Sequence, residues 1–115
     1  MTMADIVRAY GAARAARDPR EQEADIFRRV TGGLRAVQQD QDGPARVRAM
    51  ADNRRLWLAV ESALTDPSNQ LPPPMRAGLI SLGRCVQREM DAGEPDIGFL
   101  IEVNEQVAQG LVARG

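Results

Sequence analysis

The chain has 115 residues, a net charge of −1 and an ordinary globular balance of 43% hydrophobic and 27% charged residues. That is enough for one domain, residues 1–115, and too little for two. Fifteen arginines, no lysine and a pI near 5.4 give no basic surplus of the kind that marks a nucleic-acid surface. Histidine is absent, which removes the usual general base near neutral pH and the commonest zinc ligand. The single Cys85 excludes an internal disulfide, and without an activating partner it reads as a small core residue.

The opening stretch "MTMADIVRAYGAARAAR" mixes charges into its apolar positions, so it reads as a helix, not a leader. Met3, Ile6, Val7, Tyr10 and Ala13 recur at helical spacing and predict a first helix from about Met3 to Arg17. "DPRE" then starts a second: Asp18 is the expected N-cap, Pro19 the first helical residue, and Glu21 the acid three residues after the cap. Its apolar face is Phe27, Val30, Leu34 and Val37. Gly32 and Gly33 interrupt it, either admitting another backbone or bending the helix.

After the polar break "QQDQDGP", a third helix is predicted from about Pro44 to Leu64. Met50, Asn53, Leu56, Trp57, Val60 and Leu64 share one sector of it. Trp57 therefore faces the core, Arg54 lies on the flank, and Arg55 points to the far side. The connector "TDPSNQLPPP" leads to a fourth helix opened by Pro72 or Pro73, with Met75, Leu79, Leu82, Val86 and Met90 as its stripe. A fifth runs from about Pro95 to Val112, with Ile97, Leu100, Ile101, Val107, Ala108 and Leu111 inward. No alternating strand pattern and no fixed repeat occurs. The reading is an all-α, single-domain bundle of about five helices.

Two amides sit in apolar sectors, Asn53 and Asn104. Burial of an amide requires a partner. Each is expected to satisfy backbone groups at a helix end or connector; the alternative is that one faces a groove and meets a partner's backbone. Glu21, Glu23 and Asp25 form an acidic cluster, but in the first turns of a helix they complement its dipole. With no histidine and no glycine-rich phosphate loop, the chain is not expected to be an enzyme or to carry a cofactor. No run approaches the ~20 apolar residues of a membrane span, so a reduced, cytoplasmic protein is expected.

In order along the chain stand "AYGAARAARDPREQE", "FRRVT", "DNRRLW", "NQLP", "AGLISL" and "DIGFLIEVNEQVAQGL". In this order, from Tyr10 to Leu111, the chain resembles the FlaF family of flagellar biosynthesis proteins of alphaproteobacteria. Ala24, Cys85 and Phe99 depart from that pattern in ways that bear on packing. The resemblance implies a small helical protein that controls flagellin synthesis and handles flagellin as a chaperone-like partner before secretion. A second flagellin regulator is a possible member of the same circuit. Flagellin ends are amphipathic segments that become helical on packing, so a helix laid in an apolar groove is the expected mode. The candidate binding residues are Arg55, Asn69, Gln70, Arg76 and Ile80; Asp18, Glu21, Asn53, Trp57 and Asn104 are assigned to the framework. Ile80, Leu58 and Phe99 lie off the main stripes of their helices. The alternative is a post-transcriptional regulator acting on flagellin mRNA directly or through a partner. Direct RNA contact is disfavoured because Arg28-Arg29, Arg46/Arg48 and Arg54-Arg55 are spread over several helices with few aromatics for stacking.

Overall fold

The computed structural model describes residues 2–4, 19–39 and 43–114, with side chains described for 2–4, 22–39 and 43–110. Among the described residues the secondary structure is helical, in four helices. These are α1 (Pro19–Ala36), α2 (Pro44–Thr65), α3 (Pro73–Met90) and α4 (Ile97–Arg114). They correspond to the second to fifth predicted segments. The first predicted helix lies outside the described residues except for Met3 and Ala4, which are helical. Asp18 and the Glu21 side chain also lie outside them.

Proline sets three of the four starts. Pro19 begins α1, and Pro44 follows Gly43, which caps α2 with φ −79° and ψ 159°. Pro72 caps α3 with Pro73 at the first helical position. In each case the ring occupies a position whose N–H has no intrahelical acceptor, so its loss costs nothing. α4 starts two residues later than Pro95 because Asp96 acts as its cap: its Oδ1 accepts the Phe99 N–H at 3.0 Å.

α1 lies along α4, and α2 packs against both α1 and α3. Phe27, Leu34 and Val37 of α1, Leu56 and Trp57 of α2, Val86 and Met90 of α3, and Leu100, Ile101 and Val103 of α4 form one apolar cluster. The Phe27 ring meets Trp57 edge-on, with centroids 5.8 Å apart and planes at 88°. Ala24 is fully buried, so a larger side chain there has no room without repacking. α3 passes the Trp57 ring at Gly83, where a Cβ would stand 3.4 Å from Cε3, an ordinary contact, so a methyl fits there and a larger side chain does not. Gly32 and Gly33 face no such neighbour: a Cβ on either meets nothing within 4 Å, and α1 continues through them to Ala36. Among the described residues no backbone approaches at these glycines.

The expectation that Asn53 and Asn104 serve backbone groups is corrected. Trp57 Nε1–H donates to Asn104 Oδ1 at 2.9 Å. Asn104 Nδ2 in turn donates to Asn53 Oδ1 at 2.8 Å, and Asn53 Nδ2 points at Met90 Sδ, 3.3 Å away. The two amides satisfy each other and the indole, tying α2, α3 and α4 together at a fully buried point. Around this centre the surface charges pair across helices, Arg35 with Glu105 and Arg54 with Asp91. Such exposed pairs contribute little to stability, about 0–1 kcal/mol each.

A candidate helix-binding cleft between α2 and α3

Burial of α3 falls off along its length. Val86 and Met90 at its C-terminal end are buried, Leu79, Ile80 and Leu82 are half-buried, and Met75 in its first turn is 41% exposed. The stripe predicted for this helix is therefore covered at one end only. The neighbouring half of α2 still points its apolar side toward α3. Between them lies a shallow crevice of about 10 Å³, room for about one water, that opens to solvent.

The α2 wall is Trp57, Val60 and Leu64, with the exposed Glu61 on its rim. The α3 wall is Leu79, Ile80 and Gly83, with Arg84 on its rim. Arg76 and Arg84 stand one turn before and one turn after Ile80 on the same α3 face, by i, i+4, i+8 spacing. A larger hollow of about 270 Å³ lies between α1 and α4, lined by Arg28, Thr31, Arg35, Glu105, Ala108 and Gln109. Its charges are already spent, since Arg28 pairs with Asp25 and Arg35 with Glu105. Its lining is half polar, whereas the smaller α2–α3 crevice is walled mainly by apolar side chains.

The five sequence-chosen residues separate into three places. Ile80 lines the cleft and Arg76 stands beside it on α3. Asn69 and Gln70 lie in the connector that joins the two walls. Asn69 is occupied locally: Nδ2 donates to the Ala63 carbonyl at 2.9 Å, and Oδ1 accepts the Leu71 N–H at 3.0 Å. It closes the C-terminal end of α2, where the last carbonyls lack helical partners. Gln70 is exposed. Arg55 lies on the far side of α2, paired with Asp52 and with its side chain 74% exposed. It shares that outer surface with the exposed Val47 and Leu58, away from the cleft. Phe99 packs against the core instead of facing outward.

The connector is braced further by Asp66, whose Oδ1 accepts from Ser68 Oγ at 2.6 Å and from the Ser68 N–H at 2.8 Å. These bonds, the hydroxyl's first, hold the Asp66 carboxyl below its ordinary pKa. Sequence reasoning missed Val60, Leu64, Leu79 and Gly83 as cleft walls because their stripes looked like ordinary core. The glycine in the Leu79–Gly83–Val86 row was the available signal, since it leaves a gap in an apolar row beside Trp57. Arg84 carried no signal by itself.

Among the described residues no helix is long and apolar enough to cross a membrane. No curated protein and no solved structure matches the chain. A family model described as "Flagellar protein FlaF" matches residues 7–111. That match spans both walls of the cleft, the connector between them and the buried amide pair, and the chain belongs to the FlaF family of flagellar proteins.

Proposed function

We propose that this chain binds flagellin through the α2–α3 cleft and thereby controls flagellin synthesis or export during flagellum biogenesis. The observation that supports this reading most is the uneven burial of α3. Its first half leaves Leu79 and Ile80 half-covered beside Val60 and Leu64, on a chain whose family is flagellar. Half-covered side chains on two adjacent helices form a seat for an apolar helix face. Occupation of that seat hides guest surface that would otherwise self-assemble. The role is chaperone-like, exercised in the cytoplasm by binding and not by catalysis.

The test is co-elution. Purified protein mixed with monomeric flagellin is expected to run as a defined complex on a sizing column. Ile80→Asp is expected to abolish the complex while the helical signal and melting temperature stay near wild type, because Ile80 is only half-buried. No complex, together with salt-sensitive binding to the flagellin leader transcript, would replace this reading with direct regulation of the message. A complex that forms only when a second flagellin regulator is added would place the chain in a ternary circuit.

A further inference from the structure

The two halves of α3 are held differently. Among the described residues α3 packs mainly against α2. Asn53 reaches Met90 Sδ, and Arg54 reaches Gln87 and Asp91, so these ties lie in the last turn or just beyond it. Val86 and Met90, the buried residues of the helix, lie in the same half. The first half is built more weakly. Pro72 caps it without a side-chain hydrogen bond, and its first turn carries no acid to complement the helix dipole. Gly78 and Gly83 each weaken a helix relative to alanine, and a Cβ at Gly78 would meet nothing within 4 Å. Leu79, Ile80 and Leu82 are only half-covered. Ahead of Pro72 the chain is fixed again, since Asn69 bonds to Ala63 and Leu71, and Asp66 bonds to Ser68.

We propose that residues 73–83 form a strap that unwinds locally while both of its ends stay in place, uncovering Val60 and Leu64 of α2. A segment whose helix is poorly capped, interrupted by glycine and lightly covered opens at a lower free energy than the whole domain. The connector anchors one end and the part that holds Val86 and Met90 anchors the other. Opening is therefore unwinding between two fixed points, not a swing of the whole helix. The α2 side keeps its shape, because Trp57 is held by Phe27 and Asn104. With the strap closed, the crevice has room for about one water. Under the binding reading above, a guest helix is therefore admitted only by the open form. That use of the strap rests on the binding reading, whereas the opening itself does not. Closing the strap and seating a guest compete for the same α2 residues.

Amide hydrogen exchange of the full chain, followed residue by residue by NMR, tests the opening. Relative to their intrinsic rates, the amides of residues 79–83 are expected to exchange at least about tenfold faster than those of residues 87–90. Low concentrations of urea are expected to accelerate the second group far more than the first, because local unwinding exposes little surface. Equal protection of the two groups, or an equal response to urea, overturns the inference. Gly78→Ala, at an exposed position, is expected to raise the protection of residues 79–83 about fourfold. Unchanged protection in that variant overturns the inference as well. Flagellin titration then separates the strap from its use. Gly78→Ala is expected to weaken flagellin binding by the same factor, because apparent affinity falls with the population of the open form. Equal affinity for both proteins overturns the strap's part in admitting the guest. Fast exchange of residues 79–83 in a protein that binds no flagellin rejects the binding reading and leaves the strap standing.

Discussion

The buried Trp57–Asn104–Asn53 chain makes the most demanding prediction. Asn104→Leu nearly conserves side-chain shape but removes both of the amide's hydrogen bonds. Trp57 Nε1–H, bonded at 2.9 Å, loses its acceptor, and Asn53 Oδ1, bonded at 2.8 Å, loses its donor. Trp57 is 1% exposed and Asn53 is 0% exposed, so water does not replace either bond. Stranding a buried polar group costs about 1–3 kcal/mol, giving roughly 2–6 kcal/mol for the pair of groups. Against a typical domain stability of about 5–15 kcal/mol, that is a severe loss. Asn53→Leu strands only the Asn104 amide and releases a weak sulfur acceptor, so its expected cost is smaller, about 1–3 kcal/mol.

The double variant discriminates between a coupled network and two independent core sites. With both amides replaced, only the indole N–H remains without a partner. Its cost is expected to fall short of the sum of the singles by at least about 1 kcal/mol. Urea unfolding followed by far-UV circular dichroism and by the emission of Trp57, the chain's one tryptophan, measures all four proteins. An Asn104→Leu protein within about 0.5 kcal/mol of wild type, or an additive cycle, would refute the reasoning.

Three further outcomes follow from local geometry. Gly32→Ala and Gly33→Ala are each expected to raise stability by about 0.5–1 kcal/mol, because the added methyl meets nothing and the unfolded chain loses freedom; thermal melts check this. Gly83→Leu is expected to cost about 1–3 kcal/mol by pushing α3 off the Trp57 ring, with a shift in tryptophan emission. Asp66 is expected to titrate by NMR below its ordinary 3.8, and Ser68→Ala to move it back up. Since folding depresses that pKa, the carboxylate's contribution is present above pH 3.8 and is lost as pH falls through the lower folded value.

Much of this architecture was legible because proline and hydrophobic spacing are local signals. Pro19 and Pro44 marked helix starts to the residue, Pro73 was one of the two prolines expected to open α3, and the apolar rows of α1, α2 and α4 pointed inward as spaced, apart from Leu111, whose side chain lies outside the described residues. The last start was missed by two residues because the capping power of Asp96 competes with the proline before it. The partners of Asn53 and Asn104 were not legible: 51 residues separate them, and each depends on where the other's helix is placed. Burial of the two amides could be read, but their mutual satisfaction could not. The same limit applies to Arg55 and Asn69. Spacing put Arg55 on the far side of α2, yet only the packing of α3 shows that the cleft opens on the other side. Asn69 looked available because a loop amide's bonds to Ala63 and Leu71 depend on the turn it adopts.

The division of burial along α2 and α3 has a physical consequence for how such a protein combines stability with binding. The end that holds Asn53, Met90 and Val86 is locked by packing and by the amide chain to α4. The end that holds Val60, Leu79 and Ile80 contributes little covered surface and faces no third helix among the described residues. Substitution at the first end is therefore expensive in folding free energy, as the Asn104 prediction requires. Substitution at the second leaves the framework intact, which is why Ile80→Asp can report on binding alone. Under the function proposed above, such a wall needs little rearrangement, because Trp57 is already held by Phe27 and Asn104. The amide chain thus fixes the inner edge of the cleft, and loosening it should weaken guest binding even though neither asparagine touches the guest.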